Sequence, residues 1–170
     1  MQIQPIIQRL RADAGVFEAL CAALPDQQAR WKPTPDQWSI LEVVNHLADE
    51  EVEDFRTRVD LTLHKPGEAW PPIDPPAWAV ERRYNEGDLG PTLARFVAER
   101  ERSVSWLESL VDPDWHRTYE HPVFGAISAG RVMTSWLAHD HIHIRQINRL
   151  QREYLVSQLS EYPADYAGEW

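Results

Sequence analysis

Between His64 and Gly90 the chain carries five prolines, Pro66, Pro71, Pro72, Pro75 and Pro76, and then resumes a helical pattern. Proline fixes φ and removes a backbone donor, so this stretch cannot be one long helix. A connection of this length rarely joins antiparallel neighbours in a compact domain. It therefore predicts that the helices on its two sides run in the same direction, which excludes a simple up-down-up-down bundle. A short helical turn from about Trp78 to Asn85 fits within it.

Four segments of helical period flank this crossover. The first spans about Gln4 to Leu24, with Ile6, Ile7, Leu10, Ala14, Phe17 and Leu20 in one stripe, and Pro25 stops it. Trp31 to Trp38 reads as a loop, because Pro33 and Pro35 leave little room for a helix. The second segment starts at Ser39, which forms a capping box with Glu42. Its apolar face, Ile40, Val43, Val44, Leu47, Val52, Phe55 and Val59, continues to about Leu63. The third begins at Pro91, a favoured first-turn position, and reaches about Leu110. Trp115 to Ile127 alternates weakly and is broken by Pro122 and Gly125, so it reads as a loop or a short hairpin. The fourth segment runs from Ala129 to about Arg152. Beyond it Tyr154-Leu155-Val156 has the composition to extend an element, Ser160 onward reads as a tail, and Trp170 is expected to dock on the body or on a partner chain. The expectation is one all-α domain over residues 1–170.

Charge narrows the partners. Seventeen basic against twenty-seven acidic residues leave a net charge of -10, which argues against nucleic acid and anionic membrane, since both need a basic surface. No apolar run approaches the roughly 20 residues that span a bilayer. The opening stretch, Met1 to Gly15, has polar residues every few positions, so a cytoplasmic chain without a secretory signal is expected. The single cysteine, Cys21, excludes an internal disulfide and reads as a small core residue among Ala19, Leu20, Ala22 and Ala23. Most of the eight tryptophans are expected to pack.

Three histidines carry the chemistry. His139 and His143 stand four apart, about 40° from each other in helical projection, while His141 projects to the other side. His46 lies on the edge of the second segment's apolar face. Neutral imidazoles suit zinc, nickel, copper and iron, and three of them leave positions for water or substrate, as catalytic sites do. Candidate catalytic helpers are Glu50, one turn after His46, and Asp140, beside the pair, each weighed against a solvated surface acid. Gln146 and Arg145 are further candidates, for orienting a substrate or a ligand histidine. The acidic run Asp49-Glu50-Glu51 with Glu53 and Asp54 is most simply a solvent face, and His64, His116 and His121 read as exposed. No glycine-rich phosphate loop, Gly-x-Ser-x-Gly or Cys/His pairing is present.

The segment Trp38-Ser39-Ile40-Leu41-Glu42-Val43-Val44-Asn45-His46-Leu47-Ala48-Asp49 resembles the second-helix signature of the DinB-like (DinB/YfiT) superfamily. Ala138-His139-Asp140-His141-Ile142-His143-Ile144-Arg145-Gln146-Ile147 resembles its last-helix signature, and the likeness extends to about Arg152. The resemblance implies a four-helix bundle with up-down-down-up topology, a divalent metal on His46, His139 and His143, and frequently a homodimer. It also implies activities that include thiol S-transfer with low-molecular-weight thiols.

Three functions follow as expectations. The leading one is a metalloenzyme, transferase or hydrolase, using zinc or nickel on a small-molecule substrate. The others are a metal-binding or stress-associated interaction module without turnover, and a structural bundle whose histidines belong to the core.

Overall fold

The computed structural model describes residues 3–65, 67–159 and 161–168, in which four long helical stretches lie side by side. Pro66, Ser160 and Trp170 fall outside the described residues, so their expected parts in the crossover and the tail do too.

Helix α1 spans Gln4–Cys21 and α2 spans Asp26–Arg30. Helix α3, Ile40–Glu50, passes without a break through a π-helical stretch, Glu51–Arg56, into α4, Thr57–His64. The crossover holds α5, Pro75–Glu81, and a 3-10 turn, Tyr84–Glu86. Helix α6 is Leu89–Ser109, strands β1 (Thr118–His121) and β2 (Gly125–Ser128) form an antiparallel hairpin, and α7 is Ala129–Gln158.

Side-chain contacts fix the direction of each helix. Asn45 and Asp49 meet Arg95, Glu51 meets Arg100, and Arg56 meets Ser103, so α6 runs parallel to the α3–α4 rod. Leu10 meets Arg100 while Phe17 meets Phe96, so α1 is antiparallel to α6. His46 meets His139 and Glu51 meets Trp136, so α7 is antiparallel to the rod. The bundle is therefore up-down-down-up, as the proline-rich crossover and the family resemblance both predict.

Local chemistry explains the element ends. The Ser39 hydroxyl accepts from the Glu42 N–H at 3.1 Å, and the Glu42 carboxylate accepts from the Ser39 N–H at 2.7 Å, completing the capping box. Helix α1 stops three residues before the expected Leu24, next to Ala23 in a left-handed conformation (φ 59°). Helix α2 is an element the periodicity did not reveal. Helix α7 outruns its expected end at Arg152 by six residues, and Tyr154 there packs edge-on to Trp31 with ring centroids 5.6 Å apart.

Two apolar clusters fill the bundle. One joins Leu10, Phe55, Val59, Val104, Met133 and Trp136; the other joins Phe17, Ile40, Val44, Leu47, Phe96 and Ile147. Cys21 is buried in the second, as expected. Between them lies a polar layer centred on Arg100. Its guanidinium donates to Glu51 Oε1 (2.7 Å), to both oxygens of Asp140 (2.6 and 2.8 Å) and to the Leu10 carbonyl (2.9 Å). Trp136 Nε1–H adds a bond to Glu51 Oε1 at 2.8 Å. Burial opposes the charge on Arg100, but Glu51 and Asp140 outweigh it and raise its pKa.

This layer overturns the solvent-face reading of the acidic run. Asp49, Glu50, Glu51 and Asp54 are all buried, and donors from distant segments reach Asp49 and Glu51, while Asp54 pairs with Arg58 one turn along its own helix. Asp49 takes bonds from Tyr84, Arg82 and Arg95, which lash the crossover and α6 to α3. Among the described residues no helix is long and apolar enough to cross a membrane.

Candidate metal centre

Helices α3 and α7 carry the three histidines into one cluster. His139 Nε2 lies 3.2 Å from His46 Nε2 and 3.0 Å from His143 Nε2, and one ligand nitrogen from each ring falls within 4.8 Å of the others. Nitrogens about 2.0–2.1 Å from a tetrahedral zinc stand roughly 3.3 Å apart, so the spacing fits one small ion. His46 and His143 are buried and His139 is half-buried. The ring of His46 packs on Trp38 (4.8 Å) and that of His139 on Phe55 (5.1 Å).

The protonation state suits a cation. Burial, reinforced by the charge of His143, holds His46 down to about 3 and, with His46 and Arg100 adding to it, His139 down to about 2. His143 falls to about 4, again through burial, with the Gln146 hydrogen bond opposing. All three rings are thus neutral at neutral pH and each has a lone pair to offer. His143 Nδ1–H donates to Gln146 Oε1 at 2.7 Å, which leaves Nε2 as the lone-pair nitrogen turned to the cluster. The orienting role foreseen for Gln146 has its geometry here.

The two acidic candidates part company. Glu50 Oε1 lies 3.7 Å from His46 Nδ1, and both atoms are buried without a hydrogen-bond partner among the described residues. Burial, then the neighbouring Asp54, pushes the Glu50 carboxyl up to about 9. Asp140 instead faces Arg100 in the polar layer, and burial raises it to about 6 against the pull of that guanidinium. Neither is the solvated acid weighed against it.

Of the remaining histidines, His141 is exposed, 4.0 Å from Asp13, and His64 pairs with Asp60 at the surface. His121 is half-buried and lines a cavity of about 210 Å³ between the rod, α7 and the hairpin, whose wall includes Phe55. Arg100 and Glu51 were missed by sequence reasoning. Their one signal is an arginine inside the α6 stripe of Phe96, Val104 and Leu107.

The fold and the site define a helical bundle with a buried three-histidine cluster shared by two antiparallel helices. The sequence model of the DinB superfamily matches residues 9–147, and the chain belongs to that superfamily. A protein of Oceanobacillus iheyensis is 29% identical over 113 residues, covering 66% of this chain and 64% of that protein. YfiT of Bacillus subtilis is 29% identical over 117 residues, covering 68% and 65%. Both are named "putative metal-dependent hydrolase". The matches span just under two thirds of these relatives' own length. The solved structure of B. subtilis YfiT, described as a probable metal-dependent hydrolase with an unusual four-helix bundle topology, matches with a TM-score of 0.80 at 25% identity, over 90% of this chain and 87% of that one. Metal-dependent relatives and the three-histidine cluster together support a divalent metal here.

Proposed function

We propose that the chain is a metal-dependent hydrolase of a small molecule, with His46, His139 and His143 holding one divalent ion, zinc or nickel. The observation that carries this reading is the convergence of three neutral imidazole nitrogens, one of them fixed in its tautomer by Gln146. When bound, such an ion supplies Lewis acidity, making water or a thiol more acidic and polarising a substrate carbonyl. Three protein ligands leave room for a reactant beside them.

The chain's own groups support that centre. Gln146 holds the proton of His143 on Nδ1, and Glu50 Oε1 stands 3.7 Å from His46 Nδ1, just beyond direct hydrogen-bond distance. Trp38 and Phe55 shield two of the rings from water. Asp140 acts as a positioning residue, tying α7 to α6 through Arg100. An all-imidazole donor set adds no negative charge and so accommodates an anion. That favours, as a second reading, a thiol S-transferase in which a low-molecular-weight thiolate is the nucleophile. Leu155, Val156 and Leu159, exposed at the end of α7, are the surface a second copy would cover in a homodimer.

Elemental analysis of untagged protein beside a His46→Ala/His143→Ala variant tests the centre. Near-stoichiometric zinc or nickel in the wild type alone is expected. A panel of esters and amides, run with and without added thiol, then separates the two readings: product in water alone marks a hydrolase, and product only with thiol marks a transferase. Metal without turnover of any substrate would leave a binding module. A wild type that refuses both metals would sink the proposal.

A further inference from the structure

Two rows of side chains lead from the histidine cluster along the packed interface between the rod and α7. On the rod, His46, Glu50, Asp54 and Arg58 follow at four-residue spacing: His46 lies 3.7 Å from Glu50, burial and then the neighbouring Asp54 raise the pKa of Glu50, and Asp54 forms an ion pair with Arg58. On α7 the matching row is His143, His139, Ser135 and Arg131. Because the two helices are antiparallel, both rows end in a guanidinium at the same place, the cavity of about 210 Å³. At 1.5 Å per residue, Arg131 lies about 12 Å along the helix from His139.

The charges in this cavity do not cancel. Arg58 is neutralised by Asp54 and held over the Trp70 ring at 4.9 Å. The Arg131 side chain has no hydrogen bond or ion pair among the described residues. The wall also holds a donor that is unmet, since Trp70 Nε1–H is buried and has no acceptor among the described residues. A buried N–H without a partner beside an exposed guanidinium that no carboxylate neutralises, at the mouth of one small cavity, suits an acceptor carrying negative charge.

We infer that this cavity binds the anionic end of the substrate, carboxylate or phosphate oxygens, with Arg131 and Trp70 as its donors and the reacting bond extended toward the imidazoles. This rests on the proposed enzyme reading and names its substrate class: an elongated small molecule with an anionic group about two helical turns from the bond that reacts. Phe55, which lines the cavity and packs on His139, is the surface shared by the two ends.

The test follows the Trp70 indole ¹H–¹⁵N resonance, assigned with Trp70→Phe, during titration with 3-phenylpropionate, phenyl phosphate and the neutral 3-phenylpropionamide. Saturable shifts with at least one anion are expected, at least ~10-fold weaker for the amide and in Arg131→Gln, as befits loss of a charge-assisted hydrogen bond. Metal content of Arg131→Gln is expected to stay at the wild-type level. The His46→Ala/His143→Ala variant is expected to keep anion binding, so failure of the metal centre and failure of the anion site give different results. The ratio between the two anions tells carboxylate from phosphate. Equal affinity for amide and carboxylate, an unchanged affinity in Arg131→Gln, or no saturable shift with any probe would overturn the inference.

Discussion

Gln146 stands one turn beyond His143 on α7, and its side-chain oxygen takes the Nδ1–H of that ring at 2.7 Å. The bond decides which nitrogen of His143 is free for a cation. Such outer partners are worth roughly 10–100-fold in metal affinity. Gln146→Leu is therefore expected to weaken zinc binding by about that factor with little change in helical content, whereas Gln146→Glu, which keeps an acceptor, retains tight binding. Competition against a chelating dye measures both. An unchanged affinity in Gln146→Leu would remove Gln146 from the centre.

Arg100 ties two buried carboxylates together, so its loss strands both. Arg100→Met is expected to destabilise the fold by about 3–5 kcal/mol, the usual penalty for removing one partner of a buried ion pair. Urea denaturation reads this directly. A loss under about 1 kcal/mol would mean that Glu51 and Asp140 find other partners or take up protons.

The histidines and Glu50 give the metal-free protein opposite pH limbs. His46, His139 and His143 have folded values of about 3, 2 and 4, below the ordinary 6.5. Between 6.5 and those values the unfolded chain binds protons that the folded chain refuses. Their contribution is thus whole above 6.5 and is lost as pH falls through the folded values. Glu50 is raised from 4.5 to about 9, so its contribution is whole below 4.5 and declines as pH rises through about 9. Denaturant midpoints across pH should show both limbs, and Glu50→Gln should flatten the alkaline one alone.

Ser39→Ala removes the hydroxyl that accepts from Glu42 N–H and donates to Asn85 Oδ1 at 2.7 Å. A lost N-cap costs about 1 kcal/mol, and here the crossover loses an anchor as well. A fall in thermal midpoint is expected, with metal content unchanged because His46 lies two turns further along. A fall in metal content to half would show instead that the cap positions the cluster.

The three histidines were legible because each ring lies on or beside an apolar stripe whose period survives in the sequence. The capping box at Ser39 and the parallel run enforced by the prolines were legible for the same local reason. The polar layer was not. Glu51 reads as one more surface acid among Asp49, Glu50, Glu53 and Asp54, and Arg100 and Trp136, forty-nine and eighty-five residues on, explain its burial. The five residues of α2 are too few to show a period. The last six residues of α7 fall where the apolar stripe has faded, and their contact with Trp31 lies far away in sequence.

The π-helical stretch Glu51–Arg56 divides the rod into a part that carries His46 and a part that carries Arg58. The Thr57 hydroxyl reaches back five residues to the Val52 carbonyl at 2.7 Å, stapling the wide turn. Deleting a single residue there would restore an ordinary helix and swing everything after it by about 100°. His46 would keep its bearing while Phe55 and Arg58 turned away from the cavity they line. The wide turn is thus a phase coupling, by which one inserted residue brings the part of the helix that carries His46 and the part that carries Arg58 to point the same way.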